Sequence, residues 1–215
     1  MSLILAVDTT GEYGSLALLR EGELVDEVFL HAPKGFSQML YGHLADLLKR
    51  HALKPADIDC FAAASGPGSF TGVRVGLACV KGLAEAVGRP AVAVSNLQAI
   101  ASFGTAPLRA AVLDAHRGEV YGAVYDSASR IVTPEVVGPF AAWIETLPSG
   151  DLEFVVSGFT PLLAGTRLEQ ATVTVAGRAL AGAVARLASE AEPRDPAALD
   201  ANYVRRSDAE LLWKE

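Results

Sequence analysis

Apolar residues near the start of the chain come in short runs over residues 3–7, 14–19 and 24–30, the last two joined by the turn-forming pair Glu21-Gly22. Runs of this length bounded by turn residues predict a three-stranded meander. Pro33-Lys34-Gly35 breaks the chain, and from Ser37 the period changes: Leu40, Leu44, Leu47 and Leu48 share one helical face, while Asp46 faces Lys49 and Arg50 on the wet side. A buried strand over 58–64, a glycine-rich turn over 65–72 and a helix over 70–87 follow. Gly88-Arg89-Pro90 ends that helix before a strand over 91–94.

The second half repeats this order. Val112-Leu113-Asp114-Ala115 followed by residues 118–124 echoes Ala6-Val7-Asp8-Thr9 followed by residues 11–17: an apolar strand ends in Asp, turns through polar residues and Gly, and returns. A strand over 131–137, a helix over 140–147, a strand over 154–157 and a helix over 178–191 continue the order, and 193–200 is a loop before a short tail. The reading is α/β, with a first lobe over 1–100 and a second, smaller lobe over 101–215, the boundary lying in 95–108. A duplicated unit of three strands, helix, strand, helix, strand resembles the lobes of the actin, Hsp70 and sugar-kinase superfamily. That resemblance places Asp8 and Asp114 at two phosphate turns, where carboxylates commonly hold Mg²⁺ beside a nucleotide.

Each candidate site has a structural alternative. The first turn, Asp8-Thr9-Thr10-Gly11, lacks the glycine that active kinases place before their Thr pair, and Ser157-Gly158-Phe159 has one Gly where an adenine pocket uses two. Asp8, Thr9, Thr10 and Asp114 therefore read as vestigial phosphate turns. The segment Ser65-Gly66-Pro67-Gly68-Ser69-Phe70-Thr71-Gly72-Val73-Arg74 fails as a Walker loop, because Gly72 is followed by Val73 rather than Lys, and fails the dinucleotide spacing at Thr71. It reads as a tight turn whose Ser69 or Thr71 caps the next helix.

Charge and composition narrow the choice further. With 25 acidic against 18 basic residues, the formal charge is −7 and the pI is near 5.1. That balance makes the chain a poor stand-alone nucleic-acid binder, which needs clustered Lys and Arg. Cys60 and Cys79 sit in apolar runs with no disulfide or zinc spacing. The four histidines contain no i, i+4 pair, and no Gly-x-Ser-x-Gly elbow occurs, so neither a metal site nor a nucleophile is expected. The chain opens without a basic n-region and contains no run of about 18 apolar residues, which predicts a cytoplasmic protein with no membrane segment.

The helix over 70–87 is the most informative element. Its charged residues Arg74, Lys81 and Glu85 fall within about 40° at 100° per residue, and apolar residues take the other directions. Such a helix needs cover on two sides. The preceding helix or the other lobe could supply the second cover, but Gly72, Gly76, Gly82, Ala78 and Ala86 permit close helix approach, so a protein partner is the preferred one.

Ile4-Leu5-Ala6-Val7-Asp8-Thr9-Thr10, the Gly66 to Leu77 segment, Asp114-Ala115-His116-Arg117-Gly118-Glu119-Val120-Tyr121 and Tyr203-Val204-Arg205 together resemble the TsaB (YeaZ) family across nearly the whole chain. The resemblance implies a non-catalytic scaffold in the bacterial machinery that installs threonylcarbamoyladenosine next to the tRNA anticodon. It would pair with the catalytic paralogue TsaD through its first two helices, homodimerise through the same surface without TsaD, join the ATPase TsaE, and meet tRNA only through the complex. No cofactor is implied. Phe36-Ser37-Gln38-Met39-Leu40 stands where the paralogue carries its metal-binding histidine helix, and Phe36 also departs from the His common there in TsaB. The expected interface is Gln38, Tyr41, Ala45 and Leu48 with Phe70, Val73, Arg74, Leu77, Ala78 and Lys81. An ATP-dependent phosphotransferase of the same superfamily is the alternative function, and a glycoprotein peptidase the least favoured.

Overall fold

The structure, a computed structural model, describes residues 2–204; Arg205 of the closing motif lies outside the described residues. The chain forms two units, Met1–Ala99 with Gly177–Ala201, and Ile100–Ala176 with the segment from Asn202 on.

In the first unit β1 (Leu3–Asp8), β2 (Tyr13–Arg20) and β3 (Glu23–His31) form the expected antiparallel meander. β4 (Cys60–Ala64) and β5 (Ala91–Val94) add in parallel, giving the order β3-β2-β1-β4-β5. Central β1 is buried at all six positions, which is why it reads as a continuous apolar run rather than an alternation. Its side chains still divide by the two-residue period. Leu5 and Val7 join Leu16, Leu18 and Phe61 under α1 (Leu40–Arg50) and α2 (Phe70–Val87), whereas Ile4 and Ala6 join Ala17, Leu19 and Ala62 on the opposite face.

That opposite face is covered by α5 (Ala181–Glu190), through Ala181, Val184, Ala185 and Ala188. The helix expected over 178–191 as part of a second lobe thus belongs to the first unit. The sheet supplies its N-terminal acceptors: Ala181 N donates to Ser15 Oγ (2.9 Å) and Gly182 N to Glu27 Oε1 (2.7 Å). Buried Ser15 needs a partner, and the first amides of a helix need acceptors, so each satisfies the other.

The second unit holds β6 (Leu108–Asp114), β7 (Glu119–Asp126), β8 (Ile131–Pro139), β9 (Leu152–Ser157) and β10 (Thr172–Val175), in the order β10-β9-β6-β7-β8. Read from its first strand, this is the connectivity of the first sheet, so the duplication is real. α4 (Phe140–Ile144) stands where α1 stands in the first unit, and its Trp143 packs on Phe154. Between β9 and β10, where α2 stands in the first unit, no helix forms, which is the expected reduction.

Three differences from expectation have local causes. α1 starts at Leu40 rather than Ser37, because the chain turns through Phe36, whose carbonyl accepts from Met39 N (3.1 Å) and Leu40 N (3.0 Å) and whose ring is buried. α4 stops at Ile144, where Thr146 N takes the Trp143 carbonyl in a tighter turn. β10 and the short α3 (Asn96–Ala101) had no sequence signal distinct from loop. Among the described residues no helix is long and apolar enough to cross a membrane.

Candidate functional site

The β1–β2 turn is closed from within. Asp8 Oδ1 accepts from Thr10 N (2.9 Å) and Thr10 Oγ1 (2.6 Å), and Asn96 at the start of α3 donates to Thr10 Oγ1. Asn96 in turn holds the glycine-rich segment: its Oδ1 accepts from Gly66 N (3.0 Å) and its N–H donates to the Gly66 carbonyl (2.8 Å). Ser69 N donates to the Thr10 carbonyl (2.6 Å) and Thr9 Oγ1 donates to the Gly72 carbonyl (2.7 Å). Ser69 is the N-cap of α2, its Oγ accepting from Gly72 N at 3.2 Å, as the sequence predicts.

The glycines permit this clamp. A Cβ on Gly72 would lie 2.0 Å from the Thr9 carbonyl oxygen, and one on Gly76 would lie 2.6 Å from Thr9 Oγ1. The motif therefore docks the first turns of α2 onto the β1–β2 turn. Asp8, Thr9 and Thr10 are buried at 2%, 1% and 5% exposure. Burial pushes the Asp8 carboxyl above its usual range, the Thr10 bonds pull it down, and the Glu27 charge adds to the rise.

Asp114 occupies the matching place in the second unit. Its Oδ1 accepts from His116 N (2.8 Å), two residues on, just as Asp8 accepts from Thr10 N. The turn after it carries His116 and Arg117 at φ 61° and 57°, so two non-glycine residues stand in the left-handed region.

The second feature is the outer surface of α1 and α2. Around α2 the exposed positions Thr71, Arg74, Ala78, Gly82, Glu85 and Ala86 centre on Ala78, while Val73, Leu77, Val80 and Ala84 face the core. On α1, Tyr41, Gly42, Ala45 and Lys49 are exposed, and Leu40, Leu44, Leu47 and Leu48 are buried. Tyr41 spans the two helices: its hydroxyl hydrogen-bonds the Cys79 thiol while the ring remains 59% exposed. The Arg74 guanidinium lies 3.8 Å over the Phe70 ring, and Lys81 Nζ reaches the Ala197 carbonyl at 3.3 Å.

Of the interface residues expected from the sequence, Gln38, Tyr41, Ala45, Phe70, Arg74 and Ala78 are exposed and Lys81 is half-buried. Leu48, Val73 and Leu77 are not available: they lie in the core beneath the sheet-facing sides of both helices. A helix apolar nearly all round conceals its orientation in the sequence, which accounts for Val73 and Leu77, whereas Leu48 lies on the apolar face of α1 that the sequence itself marks. Asn96 was missed, because a single Asn after a strand carries no signal of a partner 86 residues away. Burial pushes both thiols up, Cys60 and Cys79 each to about 11. Among the described residues no three His, Cys, Asp or Glu side chains are grouped as a metal site requires.

Residues 30–183 match the family model described as TsaD, tRNA N6-adenosine threonylcarbamoyltransferase. The chain is similar to the tRNA threonylcarbamoyladenosine biosynthesis protein TsaB of Bacillus subtilis, at 31% identity over 99% of this chain and 98% of that protein. It is also similar to TsaB of Escherichia coli, at 34% identity over 62% of this chain and 64% of that protein. Among solved structures, YeaZ from Pseudomonas aeruginosa superposes with a TM-score of 0.76 at 26% identity, covering 94% of this chain and 100% of that one. Component A of the Acidaminococcus fermentans (R)-2-hydroxyglutaryl-CoA dehydratase shares the fold alone, with a TM-score of 0.55 at 11% identity over 88% and 98% of the two chains.

Proposed function

Because the chain belongs to the TsaB family of tRNA threonylcarbamoyladenosine biosynthesis proteins, we propose that it serves in that pathway as a non-catalytic scaffold. It pairs with TsaD through the outer surface of α1 and α2 and so supports transfer of the threonylcarbamoyl group to the adenosine beside the anticodon. The observation that carries this reading is the surface centred on Ala78: small residues of α2 beside the exposed Tyr41 and Ala45 of α1, open on an otherwise covered helix.

The β1–β2 turn supports the non-catalytic part. Where a kinase-like relative needs free backbone amides and an available carboxylate, Asp8 accepts from Thr10 and the Thr10 carbonyl accepts from Ser69 N, so the turn is engaged in holding α2. The same bonds disfavour a phosphotransferase, and the absence of a grouped ligand set among the described residues disfavours a metallopeptidase. TsaE joins the assembled pair in this scheme, a second copy of the chain takes the same surface when TsaD is lacking, tRNA is met through the complex, and the protein works in the cytoplasm.

Light scattering on size-exclusion fractions, with the chain alone and mixed with TsaD from the same source, tests the reading. Ala78→Arg places a long cation at the centre of the surface and touches no core residue. The variant should keep the wild-type melting temperature and lose pairing; unchanged pairing would refute the assigned surface.

A further inference from the structure

The outer edges of the two sheets are finished in different ways. β3 carries Glu23, Asp26 and Glu27, and β8 carries Pro134 and Pro139 and slips register twice against β7. β5 is closed by the chain passing antiparallel at Arg194, which exchanges both backbone hydrogen bonds with Ala91 at 2.9 Å. Charges, prolines, bulges and covering segments are the devices that keep a sheet edge from pairing with another chain. β10 has none of these: Thr172-Val173-Thr174-Val175 is uncharged and in regular register with β9, and no segment among the described residues pairs with its outer side. Because β10 holds the place in its sheet that β5 holds in the first, the first sheet shows how such an edge is closed, by a segment running antiparallel.

Strand geometry fixes what this edge offers. Ala176 N donates to the Val156 carbonyl at 2.9 Å, so the even positions of β10 bond to β9, and the N–H and C=O groups of Val173 and Val175 point away from it. The side chains of Val173 and Val175 lie in register with Phe154 and Val156 and extend that apolar surface outward, at 41% and 75% exposure. Thr174 faces the other way, where its Oγ1 donates to Glu153 Oε1. We propose that the edge of β10 pairs antiparallel with β10 of a second copy of this chain, about a two-fold axis through Thr174. The contact uses residues of the second unit and none of the α1 and α2 surface, so it is separate from the pairing described above.

The edge itself names the second copy as its occupant. Val173-Thr174-Val175 reads the same in both directions, so a two-fold axis sets Val173 opposite Val175 of the second copy and Val175 opposite Val173 of the second copy. Each of these pairs exchanges N–H···O=C bonds through the groups that point outward, and Thr174 meets its own copy on the axis as a non-hydrogen-bonded pair. Apolar β-branched side chains then face one another across the strands, a favourable cross-strand combination. The nearest charges along the chain agree with this direction. Glu169 precedes the strand and Arg178 follows it, so antiparallel pairing sets the acid of one copy at the same end as the base of the other, whereas parallel pairing sets like beside like. The strand is short, and the contact buries much less than the roughly 1,600 Å² of a standard interface, so it forms at high protein concentration.

Oxidative cross-linking tests the register. The Cα atoms of a non-hydrogen-bonded antiparallel pair lie about 4.5 Å apart, within disulfide range, so Thr174→Cys treated with copper phenanthroline should run as a linked dimer on a non-reducing gel. Val175→Cys is the control. In this register its own copy is a diagonal neighbour about 7–8 Å away, so it should link at least about five-fold less, although it is the more exposed position. Cys60 and Cys79 are buried and supply no competing link. Equal linking, or more from Val175→Cys, is the outcome of random collision and overturns the proposal. Because Thr174→Cys forfeits the bond to Glu153, a second measurement uses only the exposed valine. Sedimentation equilibrium at about 0.5 mM in the Ala78→Arg background, where the α1 and α2 surface is blocked, should show a dimer that Val175→Lys reduces at least about five-fold and Val175→Ile retains. A chain that stays monomeric there, or a dimer indifferent to Val175→Lys, overturns the proposal. Loss of pairing with TsaD in Ala78→Arg while the Thr174→Cys link persists separates the two surfaces.

Discussion

Alanine at Gly72 and at Gly82 should have opposite effects, although both glycines lie in α2 and look alike in the sequence. At Gly72 a Cβ would sit 2.0 Å from the Thr9 carbonyl oxygen and 3.1 Å from its carbonyl carbon, both backbone atoms in a buried turn. The helix and the turn must separate by more than 1 Å, roughly the shortfall from an ordinary carbon–oxygen contact. The Thr9 to Gly72 hydrogen bond, worth about 1 kcal/mol, is lost. Overpacking adds about 1–3 kcal/mol, and the helix preference of Ala over Gly returns about 1 kcal/mol. The net expectation is a destabilisation of about 1–3 kcal/mol, or roughly 2–12 °C in melting temperature for a chain of this size. At Gly82 nothing lies within 4 Å of the added carbon, so only the helix preference acts, and Gly82→Ala should stabilise by about 0.5–1 kcal/mol. Far-UV circular dichroism melts of both variants at low protein concentration read the difference. If Gly72→Ala melts at or above wild type, the clamp between α2 and the Thr9 turn does not have the geometry described.

Further outcomes concern buried titratable groups. Glu153 is buried and accepts from Thr105 N, Ala106 N and Thr174 Oγ1; burial pushes its carboxyl up, but these bonds and the Arg109 charge outweigh it and hold the group below its ordinary 4.5. Its contribution is therefore present above pH 4.5 and lost as pH falls through the lower folded value, and Glu153→Gln should lose roughly 1.5–3 kcal/mol in urea melts at pH 7 and flatten the acid limb. Asp8 is raised, so its sign is reversed: its carboxyl favours the fold below 3.8 and costs stability as pH rises through the folded value. Asp8→Asn should accordingly gain on wild type between pH 4 and pH 7, and a loss over that interval would contradict the assignment. With both thiols pushed up to about 11, only about a thousandth of each is thiolate at pH 8, so Ellman's reagent should label neither Cys60 nor Cys79 until urea is added. Rapid labelling of the native protein would show that one of them is open to solvent.

The sequence by itself determined every strand but β10, the repeat and the cap of α2. β1 to β3, β4 and β5 are legible because short aliphatic runs between glycine and proline signals leave few alternatives. The echo of residues 6–17 in 112–124 returned as two sheets of one connectivity, down to matched bonds in which Thr10 N donates to Asp8 and His116 N donates to Asp114. Ser69 was readable as a cap because the bond is local, three residues along the chain.

What only tertiary structure decided involves groups distant in sequence. α5 lies on the first sheet because Ser15 and Glu27 accept its first amides from 166 and 155 residues away, and no local pattern encodes that choice. Asn96, which ties the Thr10 turn to Gly66, is silent for the same reason. The orientation of α2 was hidden because it is apolar nearly all round: periodicity locates a buried stripe only where a polar one contrasts with it. Val73 and Leu77 went to the core and Ala78 to the surface because Gly72 and Gly76 alone let a backbone approach the Thr9 turn, and that contact fixes the rotation of the helix.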